Sequence, residues 1–181
     1  MAKESGLTLV ELLVTIVVLS ILLALGVPGL QNFIKSSRLT GQANDLVVAL
    51  QLARSEAVKR GTGSVVCASA NEATCSNSDD WTTGWIVFTD FDQDGNLVVD
   101  PSGEDCVNFD CIIRTRGALN KTTLDGGGND SISFLPNGLV RKDPGNDITL
   151  TLTSDNCKLD QVRVISITNR GRTFVKSQDC P

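Results

Sequence analysis

At 181 residues the chain has room for one domain and an anchoring segment. It contains no His and no Tyr and carries a net charge of −5, which argues against general coating of nucleic acid and leaves no ordinary base near neutral pH. Six cysteines without a single His or a C-x-x-C pair speak against zinc and for disulfides, and so for an oxidising compartment.

Two unlike parts follow one another along the chain. Residues 1–60 hold six Lys/Arg against four Asp/Glu, whereas residues 61–181 hold ten against seventeen. The apolar run 7–27 would span ~31 Å as a helix, enough for a bilayer core, yet Glu11 sits inside it. A carboxylate at membrane depth costs a few kcal/mol on insertion scales, so it either finds a partner or reaches back to the headgroups. Beyond the run, Phe33, Ile34, Leu39, Ala43, Leu46, Val47, Leu50, Ala53, Ala57 and Val58 recur at helical steps until Gly61 and Gly63. One helix over 7–60 is expected, with a kink or local melting at Pro28, which Gly26 and Gly29 flank.

From Gly61 onward short strand signals replace helical periodicity. Strands are expected near 64–67, 84–89, 97–99, 111–116, 131–135, 139–141, 148–153, 162–168 and 172–176. Turns are expected at Asn137-Gly138 and Asn169-Arg170-Gly171, and a bulge where alternation slips between Val164 and Ile165. The fold class is α+β: a long N-terminal helix packed on a mostly antiparallel β-domain. Of the fifteen pairings open to six cysteines, the nearest-neighbour set Cys67–Cys75, Cys106–Cys111 and Cys157–Cys180 staples short loops and the C-terminus.

Two charged stretches are candidates for binding. Residues 61–113 hold ten acids and no Lys or Arg. Within them Asp90, Asp92, Asp94 and Gly95 match the first half of an EF-hand loop, although Pro101 stands where the bidentate Glu belongs. Calcium binding and an ordinary acidic turn between strands both fit, and no organic cofactor is expected. Residues 158–176 hold five basic residues and one acid. Arg170, Arg172 and Lys176 suit phosphate contacts or a solvated edge, with Phe174 expected to pack. No nucleophile motif, P-loop or dinucleotide fingerprint is present, so no enzyme is expected.

The stretch SGLTLVELLVTIVVLSILLALGVPGL resembles the class III signal of type IV pilins and pseudopilins, with Gly6, Leu7, Thr8, Leu9, Glu11 and Pro28 at the matching positions and Leu7 in place of the usual Phe. The resemblance implies cleavage after Gly6 by a prepilin peptidase, N-methylation of Leu7, and neutralisation of a neighbouring subunit's terminal amine by Glu11. LQLARSEAVKRGTGSVVC and WTTGWIVFTDFDQDG resemble the GspH/FimT branch of minor pilins and pseudopilins, through Ala53, Arg54, Ser55, Glu56, Ala57, Gly84, Trp85 and Phe88. On this resemblance residues 1–6 are a prepilin leader, 7–28 a transmembrane and filament-core helix, 29–60 an amphipathic helix half, and 61–181 a disulfide-containing β-domain. The function implied is a minor pilin or pseudopilin of a type IV pilus or secretion pseudopilus. Its partners would be other pilins and the prepilin peptidase. Before assembly it would cross the bacterial inner membrane once, with the β-domain in the periplasm. Some FimT-type pilins bind DNA through a Gly-Arg-x-Arg motif, which makes DNA a further partner. Here Gly171 and Arg172 are present, but Phe174 replaces the second Arg.

Overall fold

The computed structural model describes residues 8–98, 109–141, 147–157 and 161–180. It divides into two compact units, Met1–Ser37 and Arg38–Pro181. One helix, α1 (Leu9–Arg60), supplies secondary structure to both. Its N-terminal part contains an 18-residue window apolar enough to cross a membrane, none of it buried. The helix is unbroken at Pro28, so the local melting expected there is absent. A proline deletes its own N–H bond, and in a helix of this length the bonds on either side persist.

In the second unit α1 presents Leu39, Ala43, Leu46, Leu50, Ala53 and Ala57, all buried at alternating steps of four and three. Phe33, Ile34 and Val58, expected on the same stripe, are exposed. Three of these contact positions are alanines, which let the helix approach closely what it covers.

Eight strands follow: β1 (Gly63–Ala68), β2 (Trp85–Asp90), β3 (Ile112–Arg116), β4 (Thr122–Asp125), β5 (Ser131–Phe134), β6 (Ile148–Ser154), β7 (Val162–Ile167) and β8 (Thr173–Gln178). They form two antiparallel four-stranded sheets, ordered β3-β2-β1-β5 and β4-β6-β7-β8. A single apolar cluster joins the helix face to Val66, Trp85, Val87, Ile132 and Phe134 of the first sheet and to Leu124, Leu150, Leu152, Ile165 and Ile167 of the second. The first sheet is buried on its other face too, where Val65, Cys67, Ile86 and Phe88 pack with Ile112 of the same sheet and with Cys75 and Leu97. Burial on both faces explains why SVVCA and WIVF read as continuous apolar runs rather than alternating ones.

Several strand expectations need correction. Residues 97–98 are not a strand, and residue 99 lies outside the described residues. Around 139–141 there is only an isolated bridge, Phe134 to Val140. β4 was not anticipated, because TTLD is short and has a single large apolar residue. No bulge interrupts β7, whose register with β6 and β8 is continuous through Val164 and Ile165. The apparent slip arises because Arg163 takes a buried place in line with Ile165 and Ile167, its Nη1 donating to the Val162 carbonyl at 3.0 Å. The irregularity falls instead between Val87 and Phe88, opposite β3.

Disulfides join Cys67 to Cys75 and Cys157 to Cys180. The first pins the segment after β1 over the outer face of its sheet. The second ties the chain end after β8 to the turn after β6, and closing that loop in the unfolded chain contributes about 3 kcal/mol. Cys111 is also disulfide-bonded, while Cys106 lies outside the described residues.

Arg54 links the helix to two turns. Its Nε donates to the Gly138 carbonyl at 3.0 Å. At Gly171, where φ is +72°, an added Cβ would lie 2.5 Å from that same carbonyl and 2.8 Å from Arg54 Nε. Gly128 has a similar φ of +81° but open space around it. Gly128→Ala should therefore cost only the left-handed strain of about 1–2 kcal/mol. Gly171→Ala should cost about 3 kcal/mol or more, since backbone must also shift. Urea unfolding of the two variants side by side checks the difference.

Candidate functional site

The first place of interest is the start of α1. Thr8 precedes the helix and Glu11 lies in its first turn. Thr8 N–H points to Glu11 Oε2 at 3.5 Å, and Glu11 N–H donates to Thr8 Oγ1 at 3.3 Å. This reciprocal pair is a capping box, satisfying two N–H groups that a helix start leaves without partners. The Thr-x-x-Glu spacing carried that signal in the sequence, but the reading there concerned only the charge of Glu11. Both residues are exposed. Gly6 and Leu7 lie outside the described residues, as does the side chain of Pro28.

The helix end at 53–57 has a physical account. Ala53 and Ala57 are buried against the sheets, Arg54 holds the Gly138 turn, and Glu56 accepts from Arg60 Nε at 2.8 Å. Gly84, with φ of +113°, closes the short 3-10 helix Trp81–Thr83 and turns Trp85 into the core.

The acidic turn follows β2. Asp90, the last residue of that strand, is fully buried. Its Oδ2 accepts from Gly95 N–H at 3.1 Å, whereas its Oδ1 is buried with no hydrogen-bond partner. Asp110, 3% exposed, holds both ends of the turn: Oδ1 accepts from Phe91 N–H at 2.8 Å and Oδ2 from Val98 N–H at 2.7 Å. Burial first, and then the charge of Asp110, push the Asp90 carboxyl up to about 6, and Arg141 opposes this. Asp94 has turned away. Its two oxygens accept from the backbone and side-chain amides of Asn96 at 2.6 and 2.9 Å, which hold its pKa below the usual carboxylate range. The structure thus groups Asp90 and Asp92 with Asp110, their ligand oxygens all within 4.8 Å of one another. Asp110 was missed because it lies eighteen residues beyond Asp92 and is brought close only by the pairing of β2 with β3.

The basic hairpin joins β7 to β8. Gly171 N–H donates to the Thr168 carbonyl at 2.8 Å and Thr168 N–H to the Arg172 carbonyl at 3.0 Å. Arg170, Arg172 and Lys176 are all exposed, on or beside an edge strand. Phe174, expected to pack, is 45% exposed, and the Arg172 guanidinium stands 5.9 Å over its ring. β8 is the edge strand of its sheet, and all its residues but Thr173 are exposed.

An apolar helix start without burial, a helix end that completes the core of two antiparallel sheets, and disulfide-pinned loops together define a pilin-like protein. The family described as type II transport protein GspH matches residues 42–171, and the prokaryotic N-terminal methylation motif matches residues 1–27. The chain belongs to the GspH family. Among solved structures it is similar to the type IV minor pilin FimU of Pseudomonas aeruginosa strain PAO1 in two crystal forms. The P21 form shows 25% identity and a TM-score of 0.55, with 82% of this chain and 99% of that one covered. The P65 form, at 23% identity, 0.53, 78% and 99%, supports the fold alone. No curated protein matches the chain significantly.

Proposed function

We propose that this chain is a minor pilin or pseudopilin, a structural subunit that enters a type IV pilus or a related secretion pseudopilus through its N-terminal helix. The observation that carries the reading is Glu11, a lone carboxylate in the first turn of an otherwise apolar stretch that matches the methylation motif. Before assembly the helix crosses the inner membrane once, with the β-domain on the periplasmic side. A prepilin peptidase removes residues 1–6 and Leu7 becomes the methylated N-terminus. Its ammonium then neutralises Glu11 of an adjacent subunit, which offsets the few kcal/mol that a carboxylate costs at membrane depth.

Because Glu11 also takes part in the capping box, the test must separate charge from cap. Glu11→Gln keeps a box-forming side chain and removes the charge, whereas Glu11→Val removes both. Both variants should enter sheared filaments at least about tenfold less than wild type, the factor that ~1.4 kcal/mol represents. A Gln variant incorporated as well as wild type would leave only the cap. The intact mass of the incorporated protein should lack residues 1–6 and carry one added methyl group. Protein that retains Met1 in the filament would overturn the processing step.

A second reading is favoured by the exposed Arg172–Phe174 pair, which presents a flat guanidinium beside Arg170 and Lys176. On this reading the hairpin contacts nucleic acid backbone and supports DNA uptake. Three cations would neutralise about three phosphates, so affinity should fall with a log–log salt slope of about −2 to −3. The full chain in detergent micelles would be titrated against labelled duplex beside Arg170→Gln/Arg172→Gln. Binding retained by the double variant returns the hairpin to a filament contact or a solvated edge.

A further inference from the structure

We infer that Asp90, Asp92 and Asp110 form a binding site for a hard divalent cation of calcium's size, at the turn between β2 and β3. Oxygens that ligate calcium at about 2.3–2.6 Å lie no more than roughly 5 Å apart. The three carboxylates offer oxygens within 4.8 Å of one another, within reach of one such ion.

A cluster of acids alone would not carry the inference. The second observation is that Asp90 is fully buried and its Oδ1 has no hydrogen-bond partner. A buried acceptor without a donor costs about 1–3 kcal/mol, and more when it is charged. Asp90 is moreover grouped with a second buried carboxylate, Asp110. Among the described residues neither is in an ion pair. Backbone amides already satisfy Asp90 Oδ2 and both Asp110 oxygens, with lone pairs to spare on each. Arg141 is near enough to oppose the shift of Asp90 but is in no ion pair with it, so what the group lacks is a positive charge in direct contact.

The surroundings hold the carboxylates in place. Gly63 faces Asp90 across the β1–β2 pair, and a Cβ there would lie 3.0 Å from Asp90 Oδ2. Leu97 packs on the outer face of the first sheet, which holds the far side of the turn down. Asp92 is exposed, so the ion has an entry path and room to keep water ligands. Oxygen-only, carboxylate-rich ligation suits calcium, whereas magnesium keeps most of its waters and gains less from three carboxylates. The ligand set differs from the Asp90, Asp92, Asp94 pattern of the sequence, because Asp94 is committed to Asn96.

The test uses the full chain in detergent micelles, stripped with EDTA and melted with 5 mM CaCl2, 5 mM MgCl2 or neither. Calcium should raise the melting temperature by about 5 °C, and magnesium by much less. Asp92→Asn keeps the acceptor for Asp94 N–H and changes an exposed side chain, so the fold should survive. Asp90→Asn removes the repelling charge and should melt cooperatively without metal. Calorimetric titration should show each losing at least tenfold in calcium affinity, while Asp94→Asn keeps wild-type affinity. Wild type that binds no calcium, magnesium that stabilises equally, full affinity in both the Asp90 and Asp92 variants, or an equal loss in Asp94→Asn would each overturn the assignment.

Discussion

The inward faces of both sheets in the second unit depend on one helix face. Only the outer face of the first sheet has a small core apart from the helix; the inward residues of both sheets meet in a single cluster, and Leu39, Leu46 and Leu50 sit within it. Burying one such side chain contributes roughly 1.5–3 kcal/mol. Ala43, Ala53 and Ala57, at zero to one per cent exposure, set how closely the backbone can approach. Larger residues at those positions would push the helix away from both sheets at once, since packed interiors yield little. The same helix therefore carries two unrelated requirements, an apolar surface at its start and a small-residue seam at its end.

Arg54 extends that dependence to the far end of the chain. It reads the Gly138 carbonyl, and Gly171 is packed on both, so the β5 turn and the β7–β8 turn are set by one side chain on α1. Gln42 does the same for the start of β4, accepting from Thr122 Oγ1 at 2.8 Å. Between these polar contacts the seam is apolar. The helix fixes where the β7–β8 turn lies, although Arg170, Arg172 and Lys176 stay outside the core.

Long-period features were legible in the sequence and pairing was not. The helix, the strands buried on both faces and the two glycine turns each have a local signature of periodicity, apolar run or Asn before Gly. β4 had none: its Leu124 is the one large apolar residue in four, and its place is decided by pairing with β6. Arg163 misled for the opposite reason. A charged residue inside an apolar strand looks like a change of face, yet its stem can lie buried while the guanidinium turns back to its own backbone. Asp110 was invisible as a partner of Asp90 because nothing in the spacing reveals that β3 returns beside β2.

Glu11 and Asp90 pose the same physical problem in different settings. Each is a carboxylate that forms no ion pair among the described residues, and each accepts from one backbone amide, Thr8 N–H for Glu11 and Gly95 N–H for Asp90, which orients it without cancelling its charge. Hydrogen bonds of that kind orient a group, but in a poorly polarisable surrounding the remaining charge is still costly. On the readings proposed here the missing positive charge comes from outside the chain in both cases, from a neighbour's amine for Glu11 and from a metal ion for Asp90. The difference lies in when the cost arises. Asp90 is buried by folding itself, so its counter-charge bears on the stability of one molecule. Glu11 is exposed in the single chain, so its cost arises only in bilayer or filament, and its counter-charge bears on assembly.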